Sequence, residues 1–429
     1  KYSMDALLKY TNSFFDDRFG LTVALGASRL SNKYASTTIT AAELNISGPG
    51  MYTMANSAVA LDTSPYRSRK EIQSVYGFVN LSWDDTYFLD ITGRNDWSST
   101  LHSSKWSYFY PSVSASILLD NLFKIRSNYI NMIKLRASWA NVGNDTSVYS
   151  LYPDYGTTDF PGGVVLPTTL PNAYIKPENC ESWEVGLDTR FFGNRLSFDL
   201  ALYQNTTTNQ IISVAQSAEI GNTSMKINAG KIRNRGIEIT LGATPVKTRD
   251  WTWTINANWS LNQNRLLALT DDWDPETPLR TGNGTTIGSR TYIYSYIGQE
   301  MHQIYGKTYN RAPKGSYYLD ENGKKVDCGG ALLINSKTGY PSLSSAPDQY
   351  IARVTPRWKA GLNTSVTWRD LTLSAQFTAQ VGGHAFSVTN FALSYQGKLK
   401  NSLPGRTDGL VLNGVVDTGD KDADGNAIY

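Results

Sequence analysis

Asp420, Asp422 and Asp424 stand at alternate positions ahead of Gly425. That is the opening of a calcium loop, in which alternate carboxylates and a sharp glycine turn bring oxygens onto one cation. The chain stops before the bidentate acid that would close such a loop could appear, and a solvated acidic loop tip uses the same residues. Asp271, Asp272, Asp274 and Glu276 form a second acidic cluster, which reads as a loop surface rather than as paired catalytic acids. His102, His302 and His384 each lack a second ligand at helix or strand spacing, and Cys180 and Cys328 lie far apart with no Cys-x-x-Cys or Cys/His pattern. Neither a disulfide framework nor a zinc site follows from them. No Gly-x-Ser-x-Gly elbow is present, and Gly282, Gly284 and Gly288 fit neither phosphate-loop nor dinucleotide spacing, so they read as loop glycines. The expectation is a protein that is not an enzyme and carries no cofactor, with Ca2+ at the acidic loop as the one weak metal reading.

What positions the remaining polar residues is a strand-rich chain. Of 429 residues, 26 are Tyr and 11 are Trp, and they come with abundant Thr, Ser, Asn and Gly, which is strand and loop chemistry. The net charge of +3 is spread along the chain, so no basic footprint for nucleic acid emerges. No apolar run approaches the ~18 residues of a membrane helix. Lys1 to Met4 carry none of the zones of a signal peptide and run straight into patterned sequence, so the chain is expected to be cut from something longer.

The deciding pattern is strict alternation, which puts successive side chains on opposite faces of a strand. From Trp251 to Asn262 the odd positions are Trp251, Trp253, Ile255, Ala257, Trp259 and Leu261, and every even position is Thr, Asn or Ser. Trp358 to Val381 repeats this as two runs joined at Arg369-Asp370, a hairpin signature. Tyr76–Trp83 and Tyr87–Asp96 flank Asp84-Asp85, Trp183–Phe191 and Leu196–Tyr203 flank Gly193-Asn194, and Leu21 to Ala27 follows a turn at Phe15-Asp16-Asp17. About twelve strands can be placed, each of roughly the 9 to 11 residues that cross a bilayer at a tilt.

The connectors between these strands alternate in length. They are short at Phe15-Asp16-Asp17, Asp84-Asp85, Gly193-Asn194, Ala243 to Asp250 and Arg369-Asp370, and moderate from Asp120 to Asn131. They are long across Leu30 to Lys70, from Ser98, across Gly143 to Glu181, across Gln204 to Met225 and after Gln263. Such parity is what an antiparallel up-and-down transmembrane β-barrel with short periplasmic turns and long extracellular loops produces. Phe14, Phe15, Phe19, Trp83, Tyr87, Phe88, Phe191, Phe192, Trp251, Trp253 and Trp368 gather beside the short turns, as an interfacial girdle requires. The other face of each strand should line a watery lumen. There Arg94 and Asp96 are candidate hydrogen-bonding groups for a hydrophilic solute, and Asn80, Asn258 and Asn363, though in Asn-x-Ser sequences, read as lumen-facing residues. Loop aromatics, among them Trp97, Trp106, Tyr149, Tyr152 and Tyr155, are candidates for stacking on sugar rings, and packing of the loops over one another explains the same residues.

The succession Tyr87, Ile91, Arg94, Asp96-Trp97-Ser98-Ser99 and Tyr108 to Ser114 resembles a stretch of the SusC/RagA-type TonB-dependent outer-membrane transporters. Ile133 to Ser138 with Gly143-Asn144, Lys176-Pro177-Glu178, Trp183 to Asp188, and Asn194-Arg195-Leu196 with Tyr203 and Thr207 continue the likeness. So do Asn228 to Ile232, Asn234 to Glu238, and Trp253 with Asn262 and Asn264. The resemblance covers most of the chain, so residues 1–429 are read as the C-terminal part of one such barrel. It implies a 22-strand barrel occluded by an N-terminal plug, a SusD-like surface lipoprotein as lid, energy from TonB, and oligosaccharide or peptide as cargo, in bacteria of the Bacteroidota type. The plug and the TonB box have no counterpart in this sequence, and the resemblance carries no catalytic residue. A siderophore-type TonB-dependent receptor and a secreted glycan-binding β-sandwich are the alternatives.

Overall fold

The computed structural model describes residues 1–157, 162–215, 219, 221–283, 291–346, 348–407, 409, 412–416, 419–422 and 427–429. Twelve strands hydrogen-bond in sequence order into one sheet. They are β1 (Tyr2–Phe14), β2 (Phe19–Thr40), β3 (Asp62–Trp83), β4 (Tyr87–Ser98), β5 (Ser107–Leu118) and β6 (Ile130–Asn144), followed by β7 (Glu178–Phe191), β8 (Leu196–Thr208), β9 (Lys231–Lys247), β10 (Trp251–Ala268), β11 (Pro356–Trp368) and β12 (Leu371–Gly382). Every pairing from β1 to β10 is antiparallel. The order opens with β1 and closes with β12. Each of those two has one neighbour in the sheet, so the described strands do not close a barrel by themselves.

The alternation read from the sequence becomes two faces, and the register fixes them. Leu25 pairs Leu8 and Gly77, Val79 pairs Val23 and Ile91, and Ile91 pairs Val113. Leu135 pairs Leu187, and Ile239 pairs Leu200 and Trp259. This row lies on one side of the sheet. It is open: Leu8 is 77% and Leu373 75% exposed. Large aliphatic side chains standing free in row after row are unfavourable against water and suit a hydrocarbon surround.

The tightest connections, those after β1, β3, β7, β9 and β11, share one end of this up-and-down sheet, and the aromatic residues meet there. Phe19 lies 6.2 Å from both Phe14 and Trp83, Phe191 lies 6.3 Å from Phe192, and Trp251 stacks on Trp368 at 5.8 Å. Asp84 and Asp85 both take positive φ, 55° and 46°, the twist that a tight hairpin between right-handed strands needs.

Four expectations are corrected. The strands run from 12 to 22 residues rather than roughly 9 to 11, and the connector placed across Leu30 to Lys70 is strand at both its ends, to Thr40 and from Asp62. Its Thr37, Thr38 and Thr40 sustain the ladder to Asp62, but they carry no apolar alternation to betray it. The connector from Ser98 is short, Ser99 to Trp106. Gly282 belongs to a strand, Leu279–Asn283, at a register shift, while Gly284 and Gly288 lie outside the described residues. Asn80, Asn258 and Asn363 do take the polar face: Asn80 donates to Asp90, and Asn258 lies beside Gly361, next in line to Asn363 on that side.

Residues 1–273 with 360–378 form one compact unit, and 274–359 with 379–429 a second. The second unit contains a four-stranded sheet of Leu279–Asn283, Thr291–Ser295, Gln303–Gly306 and Gln349–Arg353. Its packing centres on buried Met301, Ile304 and Tyr305, with Arg353 paired to Glu300 at 3.0 Å. Among the described residues no helix is long and apolar enough to cross a membrane, which leaves crossing by strands untouched.

Candidate solute-facing site

On the polar face of the first unit, midway along β3 and near the end of β4 away from the aromatic turns, Arg94 Nε donates to Asp96 Oδ1 (2.7 Å) and Arg94 Nη2 donates to Ser74 Oγ (2.7 Å). Register explains the group. Ser74 is paired with Asp96 and Tyr76 with Arg94, so all four side chains leave the sheet on one side. The guanidinium lies 5.6 Å from the centre of the Tyr76 ring, and the Tyr76 hydroxyl donates to Asp5 Oδ1 (2.8 Å) on β1. Charge-assisted bonds of this kind hold the guanidinium in one orientation.

A second group adjoins the first and anchors a loop. Asp145, just past β6, accepts from Lys70 Nζ, Ser98 Oγ and Thr100 Oγ1. Its side chain is 7% exposed. Further along the same face Arg136 clamps Asp199 with both terminal nitrogens, at 2.5 and 3.2 Å, and reaches Glu184 at 3.4 Å. β10 contributes Asn256, Asn258, Asn262 and Asn264, opposite Gly242, Thr240, Gly236 and Asn234 of β9. The wall is therefore dense in fixed donors and acceptors. It can hydrogen-bond a hydrated solute at many points.

Of the residues singled out from sequence, the structure brings Arg94 and Asp96 together and separates Trp97 from both. Trp97 pairs Gln73 and Ser107, one step along the alternation, and so stands on the apolar face. Trp106 lines a cleft with it, on that face as well. Tyr152 and Tyr155 are exposed in the segment between β6 and β7. Asp422 lies 3.7 Å from Lys325, Asp420 sits in the short strand Asp420–Lys421, and Asp424 is outside the described residues. Among the described residues no three His, Cys, Asp or Glu side chains converge as a metal site would need. Sequence reasoning passed over Asp5, Ser74, Tyr76, Arg136 and Asp199. All five occupy the polar parity of their strands, and pairing that parity across neighbours would have found them. Asp145, in a connector, carried no such mark.

Residues 2–416 match the family model described as TonB dependent receptor-like, beta-barrel. The TonB-dependent receptor P3 of Formosa agariphila is 28% identical over 351 residues, covering 77% of this chain and 34% of that protein. The TonB-dependent receptor SusC of Bacteroides thetaiotaomicron is 27% identical over 299 residues, 65% of this chain and 30% of that protein. The chain thus spans about a third of the length of the curated relatives it matches. Among solved structures, the RagAB peptide transporter superposes with a TM-score of 0.70 at 22% identity, over 89% of this chain and 41% of that one. That likeness is one of fold.

Proposed function

Because the chain belongs to the TonB-dependent receptor β-barrel family, whose members sit in the bacterial outer membrane, we propose that it forms the wall of a channel importing hydrophilic oligomers. Oligosaccharides or peptides are the proposed cargo. The single observation that carries the reading is the division of twelve strands into an exposed apolar face and a continuously hydrogen-bonded polar face. Arg94, half-exposed and held in place by buried Asp96, offers fixed donors to hydroxyls or peptide groups passing it, and Tyr152 and Tyr155 offer ring faces to the same solutes from the loops. In this reading a SusD-like lipoprotein closes the outer mouth and TonB supplies the energy. SusC among the relatives and a peptide transporter among the structural neighbours support that class of cargo and of partner.

The test is growth of a deletion strain on single purified glycans and single peptides, complemented with the full-length gene or with Arg94→Ala/Asp96→Ala. Restored growth with the intact gene and slowed uptake with the double variant, at equal amounts in the outer membrane, is the expected outcome. Uptake that proceeds unchanged without TonB would overturn the importer reading, as would a requirement confined to iron chelates.

A further inference from the structure

The apolar face changes character sharply at one level of β2 and β3. On β2 it runs Phe19, Leu21, Val23, Leu25, Ala27 and then turns to Arg29 and Lys33. In register on β3 it runs Trp83, Leu81, Val79, Gly77, Val75 and then turns to Gln73, Glu71, Arg69 and Arg67. The apolar stretch is roughly the nine residues a tilted strand needs to cross hydrocarbon. Trp97, in register with Gln73, marks the same level, at the end of the sheet away from the aromatic turns. Trp side chains settle at headgroup depth. This level is the second membrane interface.

There the charge is one-sided. Arg29, Lys33, Arg67 and Arg69 stand against the single carboxylate of Glu71, which holds Arg29 Nη2 at 2.7 Å and Arg69 Nη2 at 3.2 Å. One carboxylate between two guanidiniums fixes their orientation and leaves their outward N–H groups free to donate. A cleft of about 630 Å³ opens beside them, lined by Arg69, Glu71, Gln73, Trp97, Ser99 and Trp106. We infer that this cleft binds the headgroup of an anionic, phosphate-bearing lipid of the outer leaflet. Arg69, which lines the cleft, donates to the phosphate oxygens, the fork geometry guanidinium suits best, and Arg29, held by the same Glu71 carboxylate, adds a second cation beside it. Trp97 and Trp106 pack against the adjoining headgroup carbons. The acyl chains descend along exposed Leu25, Val75 and Phe109. That descent is why the occupant is a lipid rather than a soluble phosphate, which has no use for the apolar rows below.

The inference rests on this face meeting lipid, not on what the channel carries, and its test separates the two. Full-length protein is placed in micelles doped with equal fractions of brominated phosphatidylglycerol or brominated phosphatidylcholine. Quenching assigned to Trp97 and Trp106, by difference from Trp97→Phe/Trp106→Phe, is then measured. The expected result is quenching by both lipids, with the anionic one preferred. The preference should fall about fivefold for each arginine removed in Arg29→Ala and Arg69→Ala, and survive in Arg29→Lys/Arg69→Lys. Retained heat-modifiable mobility shows that the alanine variants are folded, and Arg69→Gln alone carries the test where they are not. Equal quenching by the two lipids in the unaltered protein overturns the site while leaving the membrane placement standing. No quenching by either lipid overturns both. Loss of the preference when inorganic phosphate is added would assign the cleft to a free anion and overturn the lipid.

Discussion

The phenol tip of Tyr76 on β3 reaches over Gly26 on β2, so closely that a Cβ at Gly26 would stand 2.4 Å from the ring's Cζ. The two are in register, and the ring takes the space that the missing side chain leaves. It is thereby held where its hydroxyl meets Asp5 and its face meets Arg94. Glycine weakens a strand, and an aromatic laid over it from the neighbouring strand compensates.

Gly26→Ala should therefore expel the Tyr76 ring and release both Asp5 and Arg94. The expected outcome is a lower unfolding temperature in detergent and greater proteolysis at the β1 edge. Adding Tyr76→Ala to Gly26→Ala should cost little more than Gly26→Ala alone, because the clash and its victim are removed together. Fully additive losses in a double-mutant cycle would show that the two residues do not act as a unit.

The exposed rows make a second, depth-dependent expectation. Arginine at Ile255 on β10 or at Leu373 on β12 should destabilise by about 2 to 4 kcal/mol if those positions lie near the bilayer midplane. The same change at Asn256, whose side chain leaves on the polar face opposite Gly242, should be mild. Unfolding in urea from lipid vesicles measures the difference. Equal costs at Ile255 and Asn256 would contradict the assignment of faces.

How much of this could be read from residue order depends on which force acts. The twelve strands and the short turns at Asp84-Asp85, Gly193-Asn194 and Arg369-Asp370 follow from alternation and turn chemistry, both local. The outer reaches of β2 and β3 were hidden because Tyr34 and Tyr66, 6.0 Å apart, and the threonines near them extend the ladder without a greasy face. Trp97 reads in the sequence as a loop aromatic, but it is the last residue but one of β4, where a period of two turns it to the face opposite Arg94 and Asp96. The small sheets between β10 and β11 pair over long separations, as between Gln303 and Arg353, and no local signal announces such pairings.

Asp145 joins three segments, since its carboxylate accepts from Lys70, Ser98 and Thr100. Asp145→Ala should cost about 2 kcal/mol, the loss of buried charge-assisted hydrogen bonds. It should also raise amide exchange from Ser99 to Trp106 more than in the strands β4 and β5. Asp145→Asn keeps one acceptor and should fall between. An exchange pattern unchanged in the alanine variant would mean that the loop is held by other contacts.

His302, in the second unit, takes φ +60° with its backbone N–H donating to Ser295 Oγ, and burial pushes its imidazole below the ordinary value of 6.5. The neutral ring is therefore the form the folded state favours. Above the unfolded value neither state binds the proton and stability is fully present. As pH falls below about 6.5 the unfolded chain takes up the proton first, and stability is lost progressively toward the lower, folded value. Amides of Thr291–Ser295 and Gln303–Gly306 should lose protection between pH 7.5 and about 5 after correction for intrinsic exchange. His302→Asn, which tolerates the left-handed backbone and does not titrate in this range, should flatten that dependence. An equally steep loss in the asparagine variant would place the acid sensitivity in another group of the same sheet.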